Sequence, residues 1–160
     1  MLTVKNNKSL AVATFVAGAL VSCAAMAAID SRFEAYVAEQ AQARKNVEQR
    51  IAEAEANHPL GSKENPVRVY LPDGEYEYLL LLRCPDKTYP RHNRLGSFGK
   101  GPYGTIIDGF EVECGGAEPF KTIIYMDMYF PGYAESRAVE GFTLLPRSFL
   151  PPPLLPMRLD

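Results

Sequence analysis

Phe120-Lys121-Thr122-Ile123-Ile124-Tyr125-Met126-Asp127-Met128-Tyr129-Phe130 is the stretch whose period decides the fold class. In an extended chain Phe120, Thr122, Ile124, Met126, Met128 and Phe130 share one face, opposite Lys121, Ile123, Tyr125, Asp127 and Tyr129, as a half-buried β-strand requires. Pro131-Gly132 ends the pattern. Toward the N-terminus, Ile106, Asp108, Phe110, Val112 and Cys114 alternate in the same way over residues 105–114. Residues 75–84 place Tyr76, Tyr78, Leu80, Leu82 and Cys84 on one face, with a continuous Leu79 to Leu82 run that suits a strand covered on both sides. Before them Val67, Val69 and Leu71 alternate with Arg68 and Tyr70, and Pro72-Asp73-Gly74 reads as a tight turn joining two strands. Residues 138–145 offer a fifth strand through Val139, Phe142 and Leu144. The expected class is mainly β with one long N-terminal helix, the strands forming a small antiparallel barrel or sandwich.

Cys84 and Cys114 each end a mostly apolar face in this reading. Cross-strand or inter-sheet bridging is expected wherever such Cα atoms come within about 7 Å. A domain of this size gains from the bond, because its core is modest.

The helix is expected over residues 31–58. Ser31 and Glu34 have the spacing of a capping box, Ala, Glu, Gln and Arg dominate the stretch from Phe33 to Asn57, and Asn57-His58-Pro59 stops it. Its apolar seam is thin: Phe33, Val37, Val47, Ile51 and Ala54 follow helical spacing, but Gln40 and Arg44 interrupt it. A solvated spacer that lays part of one face on its own domain is the leading reading, with an oligomer or partner contact as the alternative. The β-domain is expected over residues 60–145 and a proline-rich tail over 146–160.

The first 29 residues carry Lys5 and Lys8 followed by an uncharged apolar run, the arrangement of an export signal. Within it Leu20-Val21-Ser22-Cys23 resembles the lipobox of bacterial lipoproteins. That resemblance implies a signal peptide over residues 1–22, a lipidated N-terminus and linker over 23–30, and Cys23 as the lipid-bearing residue. The protein would then be membrane-anchored and periplasm-facing in a bacterial cell envelope. Two alternatives remain: cleavage after Ala27 at the Ala25-Met26-Ala27 site, which releases a soluble periplasmic or secreted chain, and an uncleaved N-terminal helix as the anchor. All three routes lead to an oxidising compartment, which agrees with a Cys84–Cys114 bond.

Composition excludes some partners. The 17 Lys and Arg, less Lys5 and Lys8, leave 15 against 19 Asp and Glu, a formal charge of −4 that gives no electrostatic case for nucleic acid. Trp is absent, so nine Tyr and eight Phe supply the aromatic bulk. Gly99-Lys100-Gly101-Pro102-Tyr103-Gly104 matches G-x-G-x-x-G, but it precedes a strand instead of opening a helix and reads as a connection between strands. His58 and His92 have no second ligand at a metal spacing, and neither metal nor cofactor is expected. Asp108, on its apolar face, is read as a hydrogen-bonded structural carboxylate, with a catalytic acid as the alternative.

Two segments are candidates for recognition. One is the loop expected over residues 85–104, where Lys87, Arg91, Arg94 and Lys100 are interleaved with Tyr89, Phe98 and Tyr103. The other is the greasy tail containing Pro151, Pro152, Pro153, Leu154 and Leu155, suited to packing on its own domain or to docking elsewhere as a polyproline segment. The leading functional expectation is a non-catalytic binding or structural accessory protein with a protein partner in the envelope. The alternatives are an inhibitor of a periplasmic or foreign hydrolase and, third, a hydrolytic enzyme with a cleft around Asp108 and Asp127. If Cys23 carries the lipid, Cys23→Ser abolishes lipid labelling and changes the intact mass; a mature N-terminus at Ala28 in the soluble periplasmic fraction refutes lipidation.

Overall fold

The structure is a computed structural model that describes residues 10–116 and 120–150, with side chains described from Ser31 onward. Two compact units, Met1–Asn46 and Val47–Asp160, divide the chain. The first unit is helical: α1 runs Leu10–Asn57, continuing into the second unit. Ser31 therefore lies inside a helix and does not cap one, a correction to the expected start. Phe33, Tyr36 and Val37 are exposed on it. Among the described residues no helix is long and apolar enough to cross a membrane. Cys23 precedes the described side chains.

In the second unit the end of α1 does lay one face on its own domain. Ala54 is buried and Val47 and Ile51 are half-buried, the 3–4 spacing that one helical face presents. Beyond it come β1 (Val67–Arg68), α2 (Leu71–Leu81), β2 (Leu82–Arg83), β3 (Arg91–Lys100), β4 (Ile106–Cys114), β5 (Phe120–Asp127), β6 (Thr143–Leu144) and a short 3-10 turn at Arg147–Phe149. The main sheet has the order β1-β5-β4-β3, with β1 parallel to β5 and the other pairs antiparallel, and β2 pairs antiparallel with β6. The sheet is open and mixed, and α2 adds a helix to the domain. The class is α/β; neither the antiparallel barrel nor the mainly β class stands.

The largest correction is α2. The alternation over residues 75–81 suggests a strand, yet Glu75, Tyr78 and Leu79 are buried at i, i+3 and i+4 while Tyr76 and Leu80 are exposed. The Tyr and Leu run satisfies both periods, and the face that meets the sheet is the helical one. Pro72 sits in the first turn, where its missing N–H costs nothing, and Asp73 complements the helix N-terminus. Pro72-Asp73-Gly74 is thus a helix start and not a hairpin turn.

The second correction is β3. Residues 91–100, which read as part of a loop, form the edge strand of the sheet. Its pattern lacks apolar alternation because nearly every residue is exposed, and its pairing with β4 is reinforced by cross-strand ion pairs, Arg91 with Glu113 and Arg94 with Asp108. Bulges interrupt the register near Gly96 and between Ser97 and Lys100. Phe98 lies over Gly109 and meets Tyr125 edge-on at 5.1 Å; a Cβ on Gly109 would stand 2.4 Å from the Phe98 ring and push it off this seat. The expected fifth strand shrinks to Thr143–Leu144, although Val139 and Phe142 do reach the core.

That core lies on the side of the sheet that Phe110, Val112, Ile124 and Met126 share, closed by Tyr78, Leu79 and Leu82. The alternation of β5 holds where it matters: Ile124 and Met126 are fully buried and Ile123 is exposed. Cys84 and Cys114 form the disulfide, with Cα atoms 5.8 Å apart, and both are buried. The bond ties the chain just after α2 and β2 to the end of β4. Cys84→Ala with Cys114→Ala should lower stability by about 2–5 kcal/mol, read as a fall in the denaturant midpoint; an unchanged midpoint refutes that contribution.

Candidate functional site

The most constructed cavity is a groove of ≈ 830 Å³ lined from three separate segments: the end of α1, the loop after it, and the turn between β3 and β4. Arg50 and His58 come from the first, Lys63 and Glu64 from the second, and Lys100 with Gly101 and Pro102 from the third. Each segment has a reason to be where it is. α1 ends as the sequence requires, with Asn57 bonding back to the Glu53 carbonyl through Nδ2 at 2.8 Å. The next loop closes on itself: Gly61 N–H donates to the Asn65 carbonyl at 2.8 Å, with φ +85 at Gly61. The third segment turns back at Gly101, whose N–H donates to the Thr105 carbonyl at 2.7 Å. A Cβ there would lie 2.4 Å from Ile107 Cγ2, so glycine is needed for close approach.

One polar pair locks two of these segments together. Asn65 and Tyr103 are both buried, the Tyr103 hydroxyl donates to Asn65 Oδ1 at 3.1 Å, and Asn65 Nδ2 donates to the His58 carbonyl at 2.9 Å. Asn65 thus reaches all three walls: its own loop, the end of α1 and the β3–β4 turn. Burial drives the Tyr103 phenol up to about 12, so it remains a neutral donor. Arg50 Nη1 adds a bond to the Pro102 carbonyl at 3.3 Å. The walls are fixed by buried hydrogen bonds, while three cations, Arg50, Lys63 and Lys100, line the opening against Glu53 and Glu64. Such an arrangement has the charge and the preformed geometry that an anionic group requires.

A second polar network fastens α1 to β1 and the 133–137 segment. Arg68 pairs with Glu55 and Glu135 and lies 4.6 Å over the Tyr133 ring, and Arg137 pairs with both acids. Burial pushes the Glu135 carboxyl up, but the Arg137 hydrogen bonds outweigh it and hold the group below its ordinary value.

The third polar cluster lies beneath α2. Glu75 is 1% exposed and its Oε1 has no hydrogen-bond partner among the described residues. Asp108 accepts from Arg94 Nε and Nη2 at 3.1 and 2.7 Å, and Asp127 accepts from the Thr105 hydroxyl and from Tyr129 N–H. Burial, with Asp108 and Asp127 adding repulsion, pushes Glu75 up to about 7, and burial also raises Asp127. Asp108 and Asp127 are both buried, and neither lines the groove. Among the described residues no group of three or more His, Cys, Asp or Glu is placed to hold a metal ion.

The basic residues singled out from sequence do not converge. Lys87 sits in the turn after Cys84 with φ +71, Arg91 and Arg94 are engaged by Glu113 and Asp108, and Lys100 stands at the far end of β3, roughly 24 Å from Arg91 by the rise of the paired strand β4. Of that set Lys100 lines the groove and Tyr103 supports it from within. Pro151, Pro152, Pro153, Leu154 and Leu155 lie outside the described residues. Arg50, His58, Lys63 and Asn65 carry no motif that marks them as site residues; the one linear hint is the clustering of Gly, Pro and Asn around both loops.

If Asn65 is the link described, Asn65→Ala should destabilise the domain by about 1–3 kcal/mol and increase amide exchange in residues 100–104. Exchange there equal to that of the unsubstituted protein would refute the link. In comparisons with known proteins, no family model, no curated protein and no solved structure matches this chain.

Proposed function

We propose that this protein is a non-catalytic envelope binding protein, membrane-anchored through its N-terminus, that holds an anionic group in the groove lined by Arg50, His58, Lys63 and Lys100. The observation that carries this reading is the combination of convergent cations with walls cross-linked by the buried Asn65–Tyr103 bond. Preformed walls keep the ordering cost of binding small. Lys63 and Lys100 have no ion-pair partner among the described residues, so a ligand anion need not displace a carboxylate from them. Anchoring is part of the same proposal and would raise the effective concentration for a weak anionic ligand at the envelope.

The ligand's chemistry is a phosphate or carboxylate at a surface, carried either by a lipid headgroup or by an acidic glycan. Phosphatidylglycerol vesicles and an oligogalacturonate separate these sources in binding titrations. One of the two should bind at low salt and weaken as salt rises. Lys63→Glu with Lys100→Glu should weaken it at least about tenfold, the direction expected from removing two attractive charges and adding two repulsive ones, while Arg91→Glu leaves it unchanged. Failure of both probes to bind, or equal binding by the charge-reversed variant, overturns the proposal.

A further inference from the structure

Where the helical face of α2 meets the sheet, the apolar seam of Tyr78 and Leu79 continues into a carboxyl group, Glu75, with an unpartnered oxygen. An ionised carboxylate in that position has lost its water and gained nothing in return. The charged groups acting on it come from three strands: Asp108 on β4, Arg94 on β3 and Asp127 on β5. Arg94 is already committed to Asp108 through two of its nitrogens. His92 on β3 lies against the Tyr76 ring at 6.3 Å, and Arg68 on β1 is turned to Glu55 and Glu135. Among the described residues, ionised Glu75 therefore faces the carboxylates of Asp108 and Asp127, while Arg94 is already engaged.

α2 is held along its length as well as by its burial: the Tyr78 hydroxyl donates to the Arg137 carbonyl at 2.9 Å and accepts from Val139 N–H at 3.2 Å, and Leu145 N–H donates to the Leu81 carbonyl at 3.0 Å, so any opening breaks these bonds. At the start of α2 Leu71 holds φ +61, a conformation that L side chains avoid. After its end Leu82–Arg83 pair with β6 and Cys84 is bonded to Cys114, so opening is bounded at Leu81. The Arg94 side chain is 45% exposed, which brings water to the edge of the cluster.

We propose that Glu75 is a proton-operated latch: protonated, it favours closure of α2 over the sheet, and ionised, it weakens that closure over the segment from Leu71 to Leu81. The direction with pH follows from burial. Closed, the Glu75 carboxyl is held up at about 7, against 4.5 when solvated. Closure is therefore fully supported below about 4.5, weakens as pH rises toward 7, and levels off above it. Release uncovers the apolar surface between Tyr78 and Leu79 and the strand residues Phe110 and Val112.

Amide exchange on the full chain between pH 5 and 8, corrected for intrinsic rates, tests the latch. The opening constant of residues 71–81 should rise roughly 70-fold across that range, while the amides of β4 and β5 stay constant. In Glu75→Gln, which cannot ionise, the α2 opening constant should be flat with pH. Constant α2 protection in the unsubstituted protein, or an unchanged pH dependence in Glu75→Gln, overturns the proposal. Should Glu75→Gln fail to fold, the carbon-13 carboxyl shift of Glu75 in the unsubstituted protein decides. α2 exchange in the unsubstituted protein that rises in step with a Glu75 midpoint near 7 supports the latch, and a midpoint near 4.5, or exchange that does not follow it, overturns it.

Discussion

The register of β4 is the constraint on which the domain depends. As an inner strand it is hydrogen-bonded along both edges, with Phe110 opposite Ile124 on β5 and opposite Arg94 on β3. A shift of one residue would turn Phe110, Val112 and Cys114 away from the core and present Glu111 and Glu113 instead. The same register puts Cys114 within reach of Cys84, Asp108 against Arg94, and Glu111 and Glu113 near Lys121 on the open face. Core, disulfide and ion pairs are thus consequences of one pairing, and α2 has a defined surface to cover because that pairing exists.

Polar groups are buried in this domain for different reasons, and the difference separates architecture from function. Asn65 and Tyr103 satisfy each other and two backbone segments, so their burial costs little and produces rigid walls. Arg68 and Glu135 sit in a network shared with Glu55 and Arg137, where opposite charges offset most of the desolvation. Glu75 has no such compensation for Oε1. A protein that can satisfy its other buried acids and leaves this one open retains a group whose protonation matters to folding, which is the physical content of the latch.

The groove and the latch meet on shared elements. Lys100 ends β3, the strand that also carries Arg94, and Gly101 bonds to Thr105, whose hydroxyl binds Asp127. The groove walls and the buried carboxyl cluster are therefore braced by neighbouring strands of one sheet and the turn between β3 and β4. The domain thus combines groove walls fixed by buried hydrogen bonds with a separate buried acid on α2 that has an unpartnered oxygen.

Residues 106–114 and 120–127 are recognisable as strands from sequence because a half-buried strand writes its environment into a two-residue period. The Cys84–Cys114 bond is expected from sequence and is present, but not for the expected reason: the strand face that was to end in Cys84 is a helix through Leu81, with Tyr76 and Leu80 exposed. The docking of Val47, Ile51 and Ala54 follows from helical spacing. α2 is not legible: Glu75, Tyr78 and Leu79 match a helix, Tyr76, Tyr78 and Leu80 match a strand, and only the sheet beneath chooses between them. β3 is hidden because an exposed edge strand has no buried face to impose a pattern, and its cross-strand partners are distant in sequence. The groove draws Arg50, Lys63 and Lys100 from three segments, none of which reveals the others. Sequence determined the elements whose burial is periodic along the chain; tertiary structure decided those whose surroundings are supplied by residues far away in it, because only folding brings the competing charges and surfaces into contact.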